Sequence, residues 1–204
     1  MPEPKQSKLA LVLSGGGARG AYEAGVLHYI RTMLPPEISK KRRFDILCGS
    51  SVGALNVCYL AAAAHDLTYQ GNRIYQAWKH LRQENVYKRD VKSLAKLIYG
   101  GVAGISRNIF GSSHDEDLPF KKKHFNSFFN TAPMVPYLKN NIPWKQISLN
   151  IKNELIQAVS VTATNIATGN VELFIEKHPS VKYTGRYMMH DTKLEYYHAM
   201  ASAA

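Results

Sequence analysis

Alternating apolar and polar runs along the first part of the chain predict strands and helices in turn. Residues 9–13 are apolar and lead into serine and glycines, which is typical of a buried strand entering a tight loop. Apolar residues recur at helical spacing over residues 20–34, where two prolines end the predicted helix. Residues 44–48 predict a second buried strand and residues 53–64 a second, mostly apolar helix. This order predicts a parallel sheet with right-handed crossovers.

The rest of the chain adds weaker signals. Residues 67–81 predict a further helix, and residues 157–175 predict a hairpin whose turn lies at 167–170. Residues 85–110 mix basic and apolar side chains, which fits an active-site cover or interfacial segment as well as a core helix followed by a loop. Residues 195–204 begin a helix without a capping signal at its end. We therefore expect one domain over residues 8–204, truncated at its C-terminal end.

Charge and composition narrow the choice of partners. The 26 Lys and Arg against 15 Asp and Glu give a net charge of +11, which favours phospholipid surfaces or nucleic acid. The basic residues are spread along the chain apart from short runs at 40–43 and 121–123, each of which is more typical of solvated surface. Cys48 and Cys58 make no disulfide framework and are predicted to be buried thiols.

No apolar run is long enough to span a membrane, and the N-terminus lacks the core and cleavage site of a signal peptide. We therefore expect a cytoplasmic protein whose contact with membranes, if it has one, is peripheral. No basic helix or aromatic platform favours nucleic acid, so no nucleic-acid partner is expected. Residues 114–117 carry metal-capable groups, but an exposed acidic loop explains them better, and no metal or cofactor is expected.

A G-x-S-x-G pentapeptide lies between the second strand and the second helix. In a nucleophile elbow, a serine at a strained strand-to-helix turn is lifted out of the sheet, and the flanking glycines make room for neighbouring backbone. Here Gly49 and Gly53 flank the central Ser51. The pattern alone is weak evidence, but its place between strand and helix makes Ser51 the candidate nucleophile.

A glycine-rich loop follows the first strand and opens the first helix. If the two strands are neighbours, this loop lies beside the elbow, and its N–H groups can face the oxyanion of a tetrahedral intermediate, each contributing roughly 3–4 kcal/mol. Arg19 is a candidate for holding the loop in shape or adding positive charge. The candidate oxyanion residues are Gly15, Gly16, Gly17, Ala18, Arg19, Gly20 and, after the elbow, Val52.

Two other folds use similar motifs. The spacing of Gly15, Gly17 and Gly20 also fits a dinucleotide-binding loop, but that fold needs an acidic residue at the end of its second strand, where the elbow stands. A P-loop is excluded because no Lys-Ser or Lys-Thr follows the glycines. An ordinary α/β-hydrolase fits poorly, since its elbow usually comes several strands after the glycines and a histidine usually precedes them.

These motifs resemble those of the patatin-like phospholipase family. The resemblance rests on residues 14–20 and 49–56 as a pair, with weaker matches at residues 130–133, 161–165 and 199–204. It implies an α/β fold, a three-layer sandwich with a mostly parallel central sheet. It also implies that Ser51 attacks fatty-acyl esters, mainly of phospholipids, with backbone donors at Gly16, Gly17, Ala18 and Val52. No metal is generally needed in this family.

The chain departs from the family pattern at the catalytic base. The resemblance implies a Ser-Asp dyad with no histidine, and an aspartate followed by glycine. None of the six aspartates is followed by glycine, so we assign no base here: Asp45, Asp66, Asp90, Asp115, Asp117 and Asp191. We expect the aspartate to lie beyond Ala204 and this chain alone to be nearly inactive. The alternative is a catalytically inactive lipid-binding or regulatory module.

Overall fold

The computed structural model describes residues 7–39, 43–82 and 133–203. Contacts divide the chain into a larger unit, Met1–Leu81 with Val135–Ala204, and a smaller one, Arg82–Met134. The smaller unit lies almost wholly outside the described residues, so the single domain over 8–204 stays a prediction. The segments 85–110, 114–117 and 121–123 and most of 130–133 also lie outside them.

A five-stranded sheet organises the larger unit, and its strands follow one another in space as they do in sequence. The neighbours pair in parallel except for the third and fourth strands, which form the predicted antiparallel hairpin. The strands are β1 (Ala10–Leu13), β2 (Ile46–Ser50), β3 (Ala158–Thr164), β4 (Val171–Lys177) and β5 (Met188–Asp191).

Helices connect and cover these strands. A 3-10 turn at Gly17–Arg19 precedes the first of them. The described helices are α1 (Gly20–Thr32), α2 (Pro36–Ser39), α3 (Val52–Ala62), α4 (Leu67–His80), α5 (Met134–Asn141), α6 (Trp144–Lys152) and α7 (Tyr196–Ala203). None of them is long and apolar enough to cross a membrane. The predicted α/β fold with a mostly parallel sheet is confirmed, and it is consistent with the three-layer sandwich that the resemblance implies.

The helix α3 is the centre of the core. Every residue from Val52 to Ala62 is buried, and the helix packs against β1, β2 and β3 as well as α4, α6 and α7. A helix that is apolar on all sides is stable only when it is enclosed, which explains why this segment carries so many alanines and no charge. Cys58 lies within it, and burial raises the pKa of that thiol. The prediction that Cys48 is also a buried thiol is wrong, because this residue on β2 is only half-buried.

The prediction of a buried first strand is also wrong. Only Leu13 of β1 is buried, whereas the side chain of Val12 lies on the surface with 73% of its area exposed. Among the described strands, β1 forms the edge of the sheet and pairs with β2 alone. An apolar run therefore indicated a strand correctly but not its burial.

A buried asparagine joins α6 to the end of α3. Asn150 has no exposed surface, and its amide donates to the carbonyls of Ala61 (2.7 Å) and Ala62 (3.1 Å). The last carbonyls of a helix have no partner within the helix, so this side chain completes the C-terminal end of α3.

We expect Asn150→Ala to lower the free energy of unfolding by about 1–3 kcal/mol, because it removes the amide donor from the buried carbonyls of Ala61 and Ala62. Denaturant unfolding of the full-length protein measures this change. The matched control is Asn153→Ala at an exposed position of the same segment, which should shift the value by no more than about 0.5 kcal/mol. Equal losses in the two variants would contradict the assignment.

The first turn of α7 contains a buried histidine. The ring Nδ1 of His198 accepts the backbone N–H of Glu195 at 3.0 Å, so the neutral ring is the form that the fold uses. Burial lowers the pKa of His198, and the nearby charge of His190 lowers it further. The unfolded chain therefore binds a proton at residue 198 at a higher pH than the folded chain does.

This difference makes stability fall as the pH drops below the ordinary histidine pKa of about 6.5. We expect His198→Asn to reduce the fall in melting temperature between about pH 7.5 and about pH 5.5, measured by thermal denaturation of the full-length protein. His65→Asn, at an exposed histidine, should keep the wild-type fall. If His198→Asn keeps it too, the titration of His198 is not its cause.

Candidate active site

The ends of β1 and β2 bring the two glycine motifs together. The strands pair in parallel with Leu13 opposite Gly49, so the segments that follow them leave the sheet at the same edge. The carboxyl ends of parallel strands are the usual place for a binding crevice in an open α/β sheet. The structure therefore brings residues 15–20 beside residues 49–53, as the sequence predicts.

Ser51 occupies a strained turn between strand and helix. It follows β2 directly and precedes α3, with φ 53° and ψ −124°. A positive φ is uncommon outside glycine, and such a backbone costs of order 1–3 kcal/mol that the surrounding structure must supply. Ser51 is half-buried, whereas its neighbour Ser50 is exposed. This is the backbone geometry expected of a nucleophile elbow.

The two glycines of the pentapeptide allow backbone to approach backbone. A Cβ on Gly49 would lie 2.4 Å from the carbonyl oxygen of Gly53. A Cβ on Gly53 would lie 2.4 Å from the carbonyl oxygen of Leu13 and 2.8 Å from that of Ser14. Neither position has room for a side chain, because the atoms in the way are main-chain atoms. Gly53 therefore lets the first turn of α3 rest on the end of β1.

The glycine-rich loop lies directly against the candidate nucleophile. A Cβ on Gly15 would lie 2.9 Å from Cβ of Ser51 and 3.6 Å from its Oγ. Gly17 has φ +56°, a conformation that glycine adopts without strain. At the end of the loop, Gly20 fits between the side chains of Val52 and Trp78, each 2.6 Å from the position of its absent Cβ.

The 3-10 turn in the glycine-rich loop uses only some of the loop's backbone N–H groups in its own hydrogen bonds. The N–H of Arg19 donates to the carbonyl of Gly16 at 3.1 Å, and the N–H of Gly20 donates to that of Gly17. The turn itself thus uses the N–H groups of Arg19 and Gly20, not those of Gly15 or Gly16. The loop residues from Ser14 to Arg19 are exposed, so solvent or a substrate can reach them.

Arg19 is exposed, and its side-chain stem lies along Gly16, since a Cβ there would be 3.3 Å from Cβ of Arg19. That Arg19 holds the loop in shape or adds positive charge stays a prediction. Val52 begins α3, so its N–H belongs to the positively polarised end of that helix beside Ser51.

Asn56 binds the end of the glycine-rich loop, and the sequence pattern did not predict this contact. It is fully buried, its amide donates to the carbonyl of Gly20 (3.2 Å) and to Glu23 Oε2 (2.9 Å), and its oxygen accepts the indole N–H of Trp78 (2.8 Å). These bonds tie α3 and α4 to the first turn of α1. The available signal was one amide within an otherwise apolar helix.

Ser202 is a second residue whose contact the sequence did not predict, although it lies in the matching segment 199–204. The backbone N–H of Ser51 donates to Ser202 Oγ at 2.8 Å, across 151 residues of chain. The predicted terminal helix, α7, thus ends at the elbow.

The described aspartates lie away from Ser51. Asp45 precedes β2 and binds the N–H of Leu9 at 2.7 Å, at the opposite end of the strand. Asp66 caps α4 through the N–H of Tyr69, beyond the far end of α3. Asp191 ends β5 and pairs with Lys177 at 2.8 Å. Among the described residues, none of these carboxylates stands where it could take a proton from Ser51, and no group of three His, Cys, Asp or Glu could hold a metal ion.

Comparison with known protein families identifies the family of this chain. The model of the family described as patatin-like phospholipase matches residues 11–189, which is most of the chain. The chain belongs to the patatin-like phospholipase family. The resemblance stated from residues 14–20 and 49–56 is thereby confirmed.

One curated relative is described as a phospholipase. The patatin-like chain is 42% identical over 71 residues to the "cGAMP-activated phospholipase" of Pseudomonas aeruginosa (strain BWHPSA011 / Pa011). The match covers 32% of this chain and 21% of the relative, so the chain spans only a part of that protein. No solved structure matches the chain.

We expect Gly53→Ala to lower the free energy of unfolding by about 1–3 kcal/mol or more, because the added methyl group meets the carbonyl oxygens of Leu13 and Ser14. The control is Gly25→Ala in α1, where an added Cβ meets nothing within 4 Å. That change should be neutral or should stabilise the helix by up to about 1 kcal/mol. Urea unfolding of the two full-length variants measures both values, and a Gly53→Ala protein as stable as wild type would refute the close approach.

Proposed function

We propose that the full-length protein is a serine acyl hydrolase that cleaves fatty-acyl esters of phospholipids. The observation that carries this proposal is Ser51 at φ 53°, between β2 and α3, with the glycine-rich loop against its side chain. Membership of the patatin-like family supports the substrate class.

In the proposed reaction, Ser51 Oγ attacks the ester carbonyl carbon and forms a tetrahedral oxyanion. The donors that we assign to this oxyanion are the N–H groups of Gly16, Gly17, Ala18 and Val52. Collapse of the intermediate breaks the bond to the alcohol, which leaves with a proton, and an acyl-enzyme remains. Water then hydrolyses the acyl-enzyme, releases the fatty acid and restores the serine hydroxyl.

We propose an aspartate beyond Ala204 as the base that takes the proton from Ser51 and later activates water. The engagement of Asp45, Asp66 and Asp191 elsewhere in the fold supports this assignment. The chain without such a group should hydrolyse little, because the serine hydroxyl is a weak nucleophile until a base takes its proton.

The proposed substrate lies in membranes, so the protein must reach a lipid surface. The net charge of +11 favours peripheral contact with anionic membranes, and this contact should weaken at high salt. The alternative function, an inactive lipid-binding or regulatory module, predicts the same contact without hydrolysis. Nucleic acid is not an expected partner.

A serine-reactive fluorophosphonate probe and anionic phospholipid vesicles test the proposal on the full-length protein. We expect Ser51→Ala to abolish probe labelling and release of fatty acid, because it removes the attacking oxygen. Ser50→Ala is the matched control, since it removes an exposed hydroxyl one residue away. That variant should keep its labelling.

Both assays are run with and without cGAMP, because the relative from Pseudomonas aeruginosa is a cGAMP-activated phospholipase. Labelling that persists in Ser51→Ala would overturn the nucleophile. Vesicle binding with neither labelling nor hydrolysis under either condition would favour the inactive module instead.

A further inference from the structure

The elbow leaves one backbone donor in need of a partner. Strand pairing with β3 extends to Ser50 opposite Thr162, and the helical bonds of α3 begin with the N–H of Ala54 donating to the carbonyl of Ser51. The N–H of Ser51 therefore belongs to neither the sheet nor the helix. It donates instead to Ser202 Oγ at 2.8 Å.

The fold delivers Ser202 to this point through one face of α7. His198 and Ala199 are buried, and residues three and four positions later on a helix share their face. Ser202 therefore lies on the side of α7 that packs against β3 and α3. Its hydroxyl meets the elbow because α7 ends there.

Hydrogen bonds also hold the chain at the start of α7. The N–H of the buried Leu194 donates to Glu176 Oε2 at 2.7 Å, and the hydroxyl of Ser148 donates to the other oxygen of the same carboxylate. Glu176 belongs to β4 and is itself buried. The helix is thus held to the sheet at one end and to the elbow at the other, so the position of Ser202 is set by the fold.

We propose that Ser202 is a positioning residue for the nucleophile. By accepting the N–H of Ser51, it fixes the plane of the peptide between residues 50 and 51 and holds the left-handed backbone of the elbow. The direction of the Ser51 side chain follows from that backbone. This inference rests on the proposed function, because it assigns the residue that aims the attacking oxygen.

The test compares three changes at position 202 in the full-length protein. Ser202→Ala removes the acceptor, Ser202→Cys keeps the volume with a weak acceptor, and Ser202→Thr keeps the hydroxyl. We expect Ala and Cys to lower kcat and the rate of fluorophosphonate labelling by about 10- to 100-fold, because a small displacement of a reacting atom costs a factor of this size. KM should change little, and Thr should restore most of the rate.

The matched control is Thr32→Val, which removes a half-buried hydroxyl bonded to the carbonyl of His28 at the far end of α1. It should keep the wild-type labelling rate, so a slower rate at position 202 is not a general effect of losing one hydrogen bond. All rates are measured well below the melting temperature of each variant. If Ser202→Ala does not fold, the comparison of Cys with Thr decides.

Labelling of wild type at Ser51 distinguishes a failure of the positioning role of Ser202 from a failure of the proposed function. If wild type is labelled and both Ala and Cys are labelled at the wild-type rate, Ser202 has no positioning role, although the proposed function stands. A rise in KM with unchanged kcat would also overturn the role. If wild type is not labelled at all, the proposed function fails, and the inference fails with it.

Discussion

The contact between Gly53 and the carbonyl oxygen of Leu13 is the constraint on which the site depends. It sets the first turn of α3 on the end of β1. It also requires glycine at position 53, because main-chain atoms occupy the space that a Cβ would need. Because β1 and β2 are parallel neighbours, the same contact places the glycine-rich loop against Ser51. The burial of α3 on all sides then holds this arrangement in place.

Much of this part of the fold was predictable, because its signals are local. Apolar runs bounded by glycine and proline indicated β1, β2, α1 and α3, and the turn residues indicated the hairpin of β3 and β4. The G-x-S-x-G pattern predicted the strand-to-helix turn because the flanking residues must lack side chains. The positions of the two glycine motifs followed from the order of the strands.

The remaining features depend on contacts between distant parts of the chain. The exposure of Val12 depends on which parts of the chain cover that face of β1, and an apolar run carries no information about this. Asn56 stood out only as an amide in an apolar helix, and its three hydrogen-bond partners belong to α1 and α4. Ser202 lies in the weakly matching segment 199–204, but that match did not indicate its bond to the backbone of another element.

The span of that bond has a consequence for the order in which the site forms during synthesis. Ser51 and Ser202 are 151 residues apart, and a ribosome that adds about 5–20 residues per second needs about 8–30 s to cover the interval. The serine and its glycine-rich loop thus leave the ribosome well before the hydroxyl that holds the turn. During this interval the nascent chain carries Ser51 with a backbone that α7 does not yet contact.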